Sequence, residues 1–70
     1  MWQQIENSFQ FSEWVNKELH QRITLVKDTK PLIWHVIRYN DMDKQVDTLY
    51  IANDFSEALS FVMKLINDVD

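Results

Sequence analysis

Two histidines and a scatter of carboxylates are the residues of this chain whose types could do chemistry. His35 lies inside the segment Leu32–Tyr39, among apolar residues, and on an extended chain it would share a face with Ile33, Ile37 and Tyr39. An imidazole changes charge near neutral pH and can shuttle a proton. A polar residue on an apolar strand is more often half-exposed and hydrogen-bonded to a neighbour, and that is the reading adopted for His35. His20 falls late in a segment read below as a helix, where a cation is favoured by the helix dipole. No Ser-His-Asp constellation is suggested by local spacing. Asp41, Asp43 and Asp47 offer oxygen ligands near a turn. A calcium loop, however, needs Gly at its sixth position and a bidentate Glu at its twelfth. Counted from Asp41 those positions hold Val46 and Ala52, so the three aspartates are read as a solvated turn.

What the chain lacks narrows the chemistry further. It has no Cys, which excludes disulfides and thiolate zinc sites. It has no Gly, whereas phosphate-cradling loops and the dinucleotide elbow need Gly where the backbone turns with positive φ or meets the ligand closely. No catalytic residue, metal site or cofactor is therefore expected. The opening residues show neither a basic segment nor an apolar run of the secretory kind, and no apolar stretch approaches the roughly 20 residues needed to span a bilayer. A cytoplasmic, membrane-independent protein is expected. Seven Lys and Arg against eleven Asp and Glu give a net charge of −4, which argues against a phosphate-binding surface. Trp34, Arg38 and Tyr39 could stack on single-stranded bases, but the same hairpin carries Asp41, Asp43 and Asp47. No nucleic-acid partner is expected.

The elements that would position these residues follow from periodicity. Phe55, Ala58, Leu59, Val62, Leu65, Ile66 and Val69 recur at helical spacing. Asp54 suits the N-cap, with Glu57 three residues on. A helix over about 54–68 is predicted. Leu32–Tyr39 and Val46–Ala52 are rich in β-branched and aromatic residues and read as strands. The polar turn 40–45 joins them, with Asn and Asp able to take the left-handed region. Pro31 suits the first position of a strand. Ile23–Lys27 is a third strand, with Asp28-Thr29-Lys30-Pro31 as its exit turn. Phe11, Trp14, Val15 and Leu19 share a helical face if Ser12 caps it, so a helix over about 12–22 is expected. Residues 1–11 are extended or helical, with a short strand possible at 8–11. Phe11-Ser12-Glu13 recurs as Phe55-Ser56-Glu57, an echo read as convergent.

The expected architecture over residues 1–70 is thus one α+β domain. It has a small antiparallel three-stranded sheet with two helices, in the order α-β-β-β-α and in two layers. With hydrophobic residues at 46% and aromatics at 13%, the chain has the apolar supply for a core of its own. It also shows a surplus. Leu32–Tyr39 is apolar on both faces, with Leu32, Trp34 and Val36 on one side and Ile33 and Ile37 on the other. A sheet covered on one side should alternate. Phe61 and Met63 flank the apolar stripe of the last helix and widen it to about 200°, beyond the roughly 100° a core-facing helix needs.

Asn53-Asp54-Phe55-Ser56-Glu57-Ala58-Leu59-Ser60-Phe61-Val62-Met63 resembles the first helix of pterin carbinolamine dehydratases, and Phe9-x-Phe11-x-Glu13-Trp14 more faintly resembles the strand that leads into it. The likeness spans about a dozen residues. That family's activity rests on a His-His-Pro motif and a further His. No His-His-Pro occurs in this sequence, so the resemblance carries over no active-site residue.

The function expected from these residues is a non-enzymatic, self-associating protein-interaction module: a small adaptor, inhibitor or accessory protein, acting as a homodimer and open to a further protein partner. Trp34, Val36, Phe61 and Met63 are the expected interface, because aromatic and Met side chains are enriched at interface cores. The alternative is a small-molecule-binding domain or minor enzyme, with an apolar pocket between sheet and helices lined by Trp14, Trp34, His35 and Tyr50.

Overall fold

A computed structural model of the chain describes residues 1–8, 10–29 and 32–69. Five strands run as β1 (Trp2–Asn7), β2 (Phe11–Asn16), β3 (Gln21–Thr29), β4 (Leu32–Asn40) and β5 (Gln45–Ala52), and one helix follows, α1 (Phe55–Val69). The strands pair antiparallel in chain order as a meander, β1-β2-β3-β4-β5. Each consecutive pair is thus a hairpin, and α1 packs on one face. The expected three-stranded sheet with two helices is corrected to a five-stranded sheet with one helix, still α+β in the broad sense.

The N-terminal third is where the expectation fails. Residues 12–22, read as a helix, instead form β2, a turn over Lys17–His20 and the start of β3. Phe11, Trp14, Val15 and Leu19 satisfy helical spacing, but Trp14, Val15 and Asn16 are indifferent helix formers. The competing period of two wins. Ser12, Trp14 and Asn16 all point inward and are buried. Two of these are polar, so alternation of apolar residues never shows. Each polar one is instead tied to a turn. The Ser12 hydroxyl donates to the Ser8 carbonyl at 3.4 Å, and Asn16 Oδ1 accepts the Leu19 N–H at 3.1 Å. The Phe11-Ser12-Glu13 echo is a strand at its first occurrence and a helix at its second.

The β2–β3 and β4–β5 hairpins share one device. Each turn follows an Asn whose Oδ1 accepts a backbone N–H: Asn16 from Leu19 at 3.1 Å, Asn40 from Met42 at 2.9 Å. Each ends on a residue in the left-handed region, His20 with φ 57° and Lys44 with φ 63°. That conformation costs a non-glycine residue about 1–2 kcal/mol. His20 is therefore a turn residue, not the last turn of a helix. In the second turn Lys44, and not an Asn or Asp, takes the left-handed position. Between β3 and β4, Thr29 pairs with Leu32. Lys30 and Pro31 of the expected exit turn, with the Pro31 strand start, lie outside the described residues.

The last helix forms where its periodicity places it. The Asp54 Oδ1 accepts the Glu57 N–H at 2.7 Å, the N-cap bond that its spacing implies. Its stripe packs onto Trp14, Ile23, Leu25, Trp34, Val36 and Ala52, and contributes Ala58 and Val62 to the same core. A bulge in β5 adds to that layer. Val36 pairs with Tyr50 and Ile37 with Thr48, so Leu49 is the extra residue. Leu49 and Tyr50 both pack against the core as a result. The buried indole N–H of Trp2 finds no acceptor among the described residues.

Candidate interaction face

With a single helix among the described residues, one face of the sheet is roofed by them and the other is not. The roofed face carries the inward set of each strand: Ile23 and Leu25 of β3, Trp34 and Val36 of β4, Ala52 of β5. Alternation puts their neighbours on the opposite, open face. The ladder between β3 and β4 gives the open face its central pairs, Arg22 with Tyr39, Thr24 with Ile37, Val26 with His35 and Asp28 with Ile33. On the flanks, Phe11 pairs with Val26, Glu13 with Thr24 and Val15 with Arg22 from β2. From β5, Ile51 pairs with His35, Thr48 with Ile37 and Val46 with Tyr39. Ile51 is 55% exposed and Val46 58%. An open face of an antiparallel sheet ordinarily reads polar. Here apolar side chains from four adjacent strands form its body.

Several polar groups on this face are partnered within the chain. Thr24 Oγ1 donates to Glu13 Oε2 at 3.2 Å. Arg22 Nε lies 3.4 Å from an Asp41 carboxylate oxygen, and its guanidinium stands 5.9 Å from the centre of the Tyr39 ring. His35 Nε2 is 3.6 Å from Asp28 Oδ2, an ion pair when the imidazole is protonated. An imidazole beside a carboxylate could serve as a general base, provided a nucleophile stands within hydrogen-bond reach. The Thr24 hydroxyl on this face is directed to Glu13 instead. Among the described residues no group of three or more His, Asp or Glu side chains could hold a metal ion. No helix among them is long and apolar enough to cross a membrane.

At one end of the face, Thr24, Ile37, Tyr39 and Val46 line a shallow depression of about 420 Å³ together with the charged Glu13, Arg22, Asp41 and Lys44. It opens broadly to solvent and mixes charged with apolar side chains. No sequence signal marks it, because its lining comes from four strands and a turn brought together only by the meander.

The expected site residues fall elsewhere. Trp34 and Val36 belong to the roofed face and are 4% and 0% exposed, so their surface is spent within the protomer. The Trp34 ring meets Phe55 edge-on at 5.1 Å, and the Lys27 ammonium stands 5.7 Å from its centre. Phe61 stacks on Tyr50 with ring centres 4.5 Å apart, and Met63 packs against the core. These four residues are the seam between helix and sheet. The second grouping also separates. Trp14, Trp34 and Tyr50 lie on the roofed face, whereas His35 is on the open one. The Tyr50 hydroxyl donates to Glu57 Oε1 at 2.5 Å, and this bond to a carboxylate, with desolvation and the charges of Glu57 and Asp54, raises the Tyr50 pKa above the usual 10.0. Comparison with protein-family models, curated proteins and solved structures finds no match for the chain.

Proposed function

We propose that this protein is a non-enzymatic interaction module that self-associates as a homodimer through the open face of its sheet. One observation carries the reading: Phe11, Val15, Val26, Ile33, Ile37, Val46 and Ile51 lie on a sheet face that the only helix among the described residues leaves bare. Contiguous apolar surface of this kind marks an interaction site. A second copy is the occupant because the area fits a small symmetric interface. Five strands about 4.8 Å apart and a ladder of roughly 20 Å give a face near 500 Å² per protomer. Two such faces bury about 1,000 Å², the lower bound for a specific interface. Sheet-on-sheet packing would also give each protomer the second cover its apolar surplus needs.

Sedimentation equilibrium of the intact chain, compared with Ile51→Glu, tests this. Ile51 is more than half exposed, so the substitution leaves the core untouched. The parent chain is expected at twice its formula mass at high micromolar concentration, and the variant at its formula mass with an unchanged far-UV spectrum. A parent chain that stays at its formula mass throughout overturns the proposal, and so does an Ile51→Glu variant that dimerises as tightly as the parent.

A further inference from the structure

The open face has a direction, and that direction fixes how two copies would meet. At one end of the β3–β4 ladder Arg22 stands across from Tyr39, and at the other Asp28 stands across from Ile33. Each end thus pairs one charged with one apolar side chain, and the charges are opposite. Arg22 and Asp28 keep 47% and 51% of their side chains exposed, so both charges reach the surface of this face.

Two copies packed face to face are related by a two-fold axis lying in the interface plane. Were that axis to run along the strands, β3 would lie over β4 of the second copy. Arg22 would then meet a Tyr39, as it already does within the chain, and Asp28 an Ile33, which buries that carboxylate against an apolar group and is costly. With the axis across the strands, each β3 lies over the other β3 in reverse. Arg22 then meets Asp28, Tyr39 meets Ile33, and Thr24 meets Val26, and every contact occurs twice. The shallow depression lined by Tyr39, Ile37, Val46 and Arg22 then receives the Ile33 and Asp28 end of the other copy.

Resting on the dimer reading above, we infer that the open face binds a second copy of this chain about a two-fold axis running across the strands, with reciprocal Arg22–Asp28 ion pairs setting the orientation.

Charge exchange tests the orientation apart from the dimer. Arg22→Asp and Asp28→Arg are each expected to weaken self-association about tenfold, as close interfacial charge pairs do. The double variant R22D/D28R should return to within about threefold of the parent. Far-UV circular dichroism establishes that each variant is folded. Because the chain has no Cys, single thiols give a second measurement that needs no charge reversal. On mild oxidation, Ile33→Cys mixed with Tyr39→Cys is expected to give a disulfide heterodimer, and each variant alone should cross-link poorly. A dimer whose double variant is weakened by the sum of the single losses, or whose Ile33→Cys variant cross-links best with itself, overturns the orientation while leaving the dimer standing. A parent chain that is monomeric at every concentration removes both.

Discussion

Replacing Trp34 by Ala separates a core residue from an interface residue in one experiment. The indole is 4% exposed, meets Phe55 edge-on at 5.1 Å and lies beneath the Lys27 ammonium. A buried aromatic removes roughly 150–250 Å² from water, worth about 4–6 kcal/mol at 25 cal/mol per Å². Measured large-to-small changes of this kind cost about 3–5 kcal/mol. A chain of this size has about 3.5–10 kcal/mol of total stability. Trp34→Ala is therefore expected to lose about 3–5 kcal/mol and to lower the midpoint of thermal unfolding by more than about 15 °C. Urea unfolding followed by far-UV circular dichroism, at dilution where the protein is monomeric, measures this without relying on indole fluorescence. Ile51→Ala on the open face serves as control and is expected to change monomer stability by less than about 0.5 kcal/mol. A Trp34→Ala protein that loses under about 1 kcal/mol yet no longer self-associates would show that the wrong face of the sheet has been assigned to the core.

Two further outcomes follow from single contacts. Lys44→Gly, at φ 63°, should raise stability by about 0.5–1 kcal/mol, the left-handed penalty removed less the added freedom of glycine in the unfolded chain; thermal unfolding reads it, and a loss of stability would mean the Lys44 side chain holds the turn. The hydrogen bond to Glu57 raises the Tyr50 pKa, so the folded state holds that proton more tightly than the unfolded one. The associated stability is present below the ordinary tyrosine pKa and is lost as pH rises through the folded value. Ultraviolet titration should find one tyrosine ionising above the usual range, and Glu57→Gln should bring it back down.

The elements with apolar regularity were legible, and those without it were not. Phe55 to Val69 places an apolar residue on every turn and begins at a capping Asp, so one helix alone explains it. β4 and β5 are dense in branched and aromatic residues, and their strands run within a residue or so of the expected bounds. β2 hid because its buried side chains are Ser12, Trp14 and Asn16, and because the turn after it uses His20 where Gly would have signalled a hairpin. The surplus of apolar residues on Leu32–Tyr39 could be seen from alternation. Which of its two faces stays bare could not, because that depends on the number of covering helices. Once residues 12–22 pass from helix to sheet, α1 is the only helix among the described residues left to cover it, and the larger set with Trp34 and Val36 lies beneath that helix. The residues expected from the sequence at an interface therefore lie beneath the helix, and Ile33, Ile37 and their neighbours lie on the open face.

The placement of the self-association surface is tested most directly by methyl chemical shifts recorded across a concentration series by nuclear magnetic resonance. Val26, Ile33, Ile37 and Ile51 on the open face should shift progressively with concentration along one saturating curve, while Val36 and Val62 beneath the helix stay fixed. Shifts that do not move with concentration, or that move along α1 instead of the open face, would contradict it.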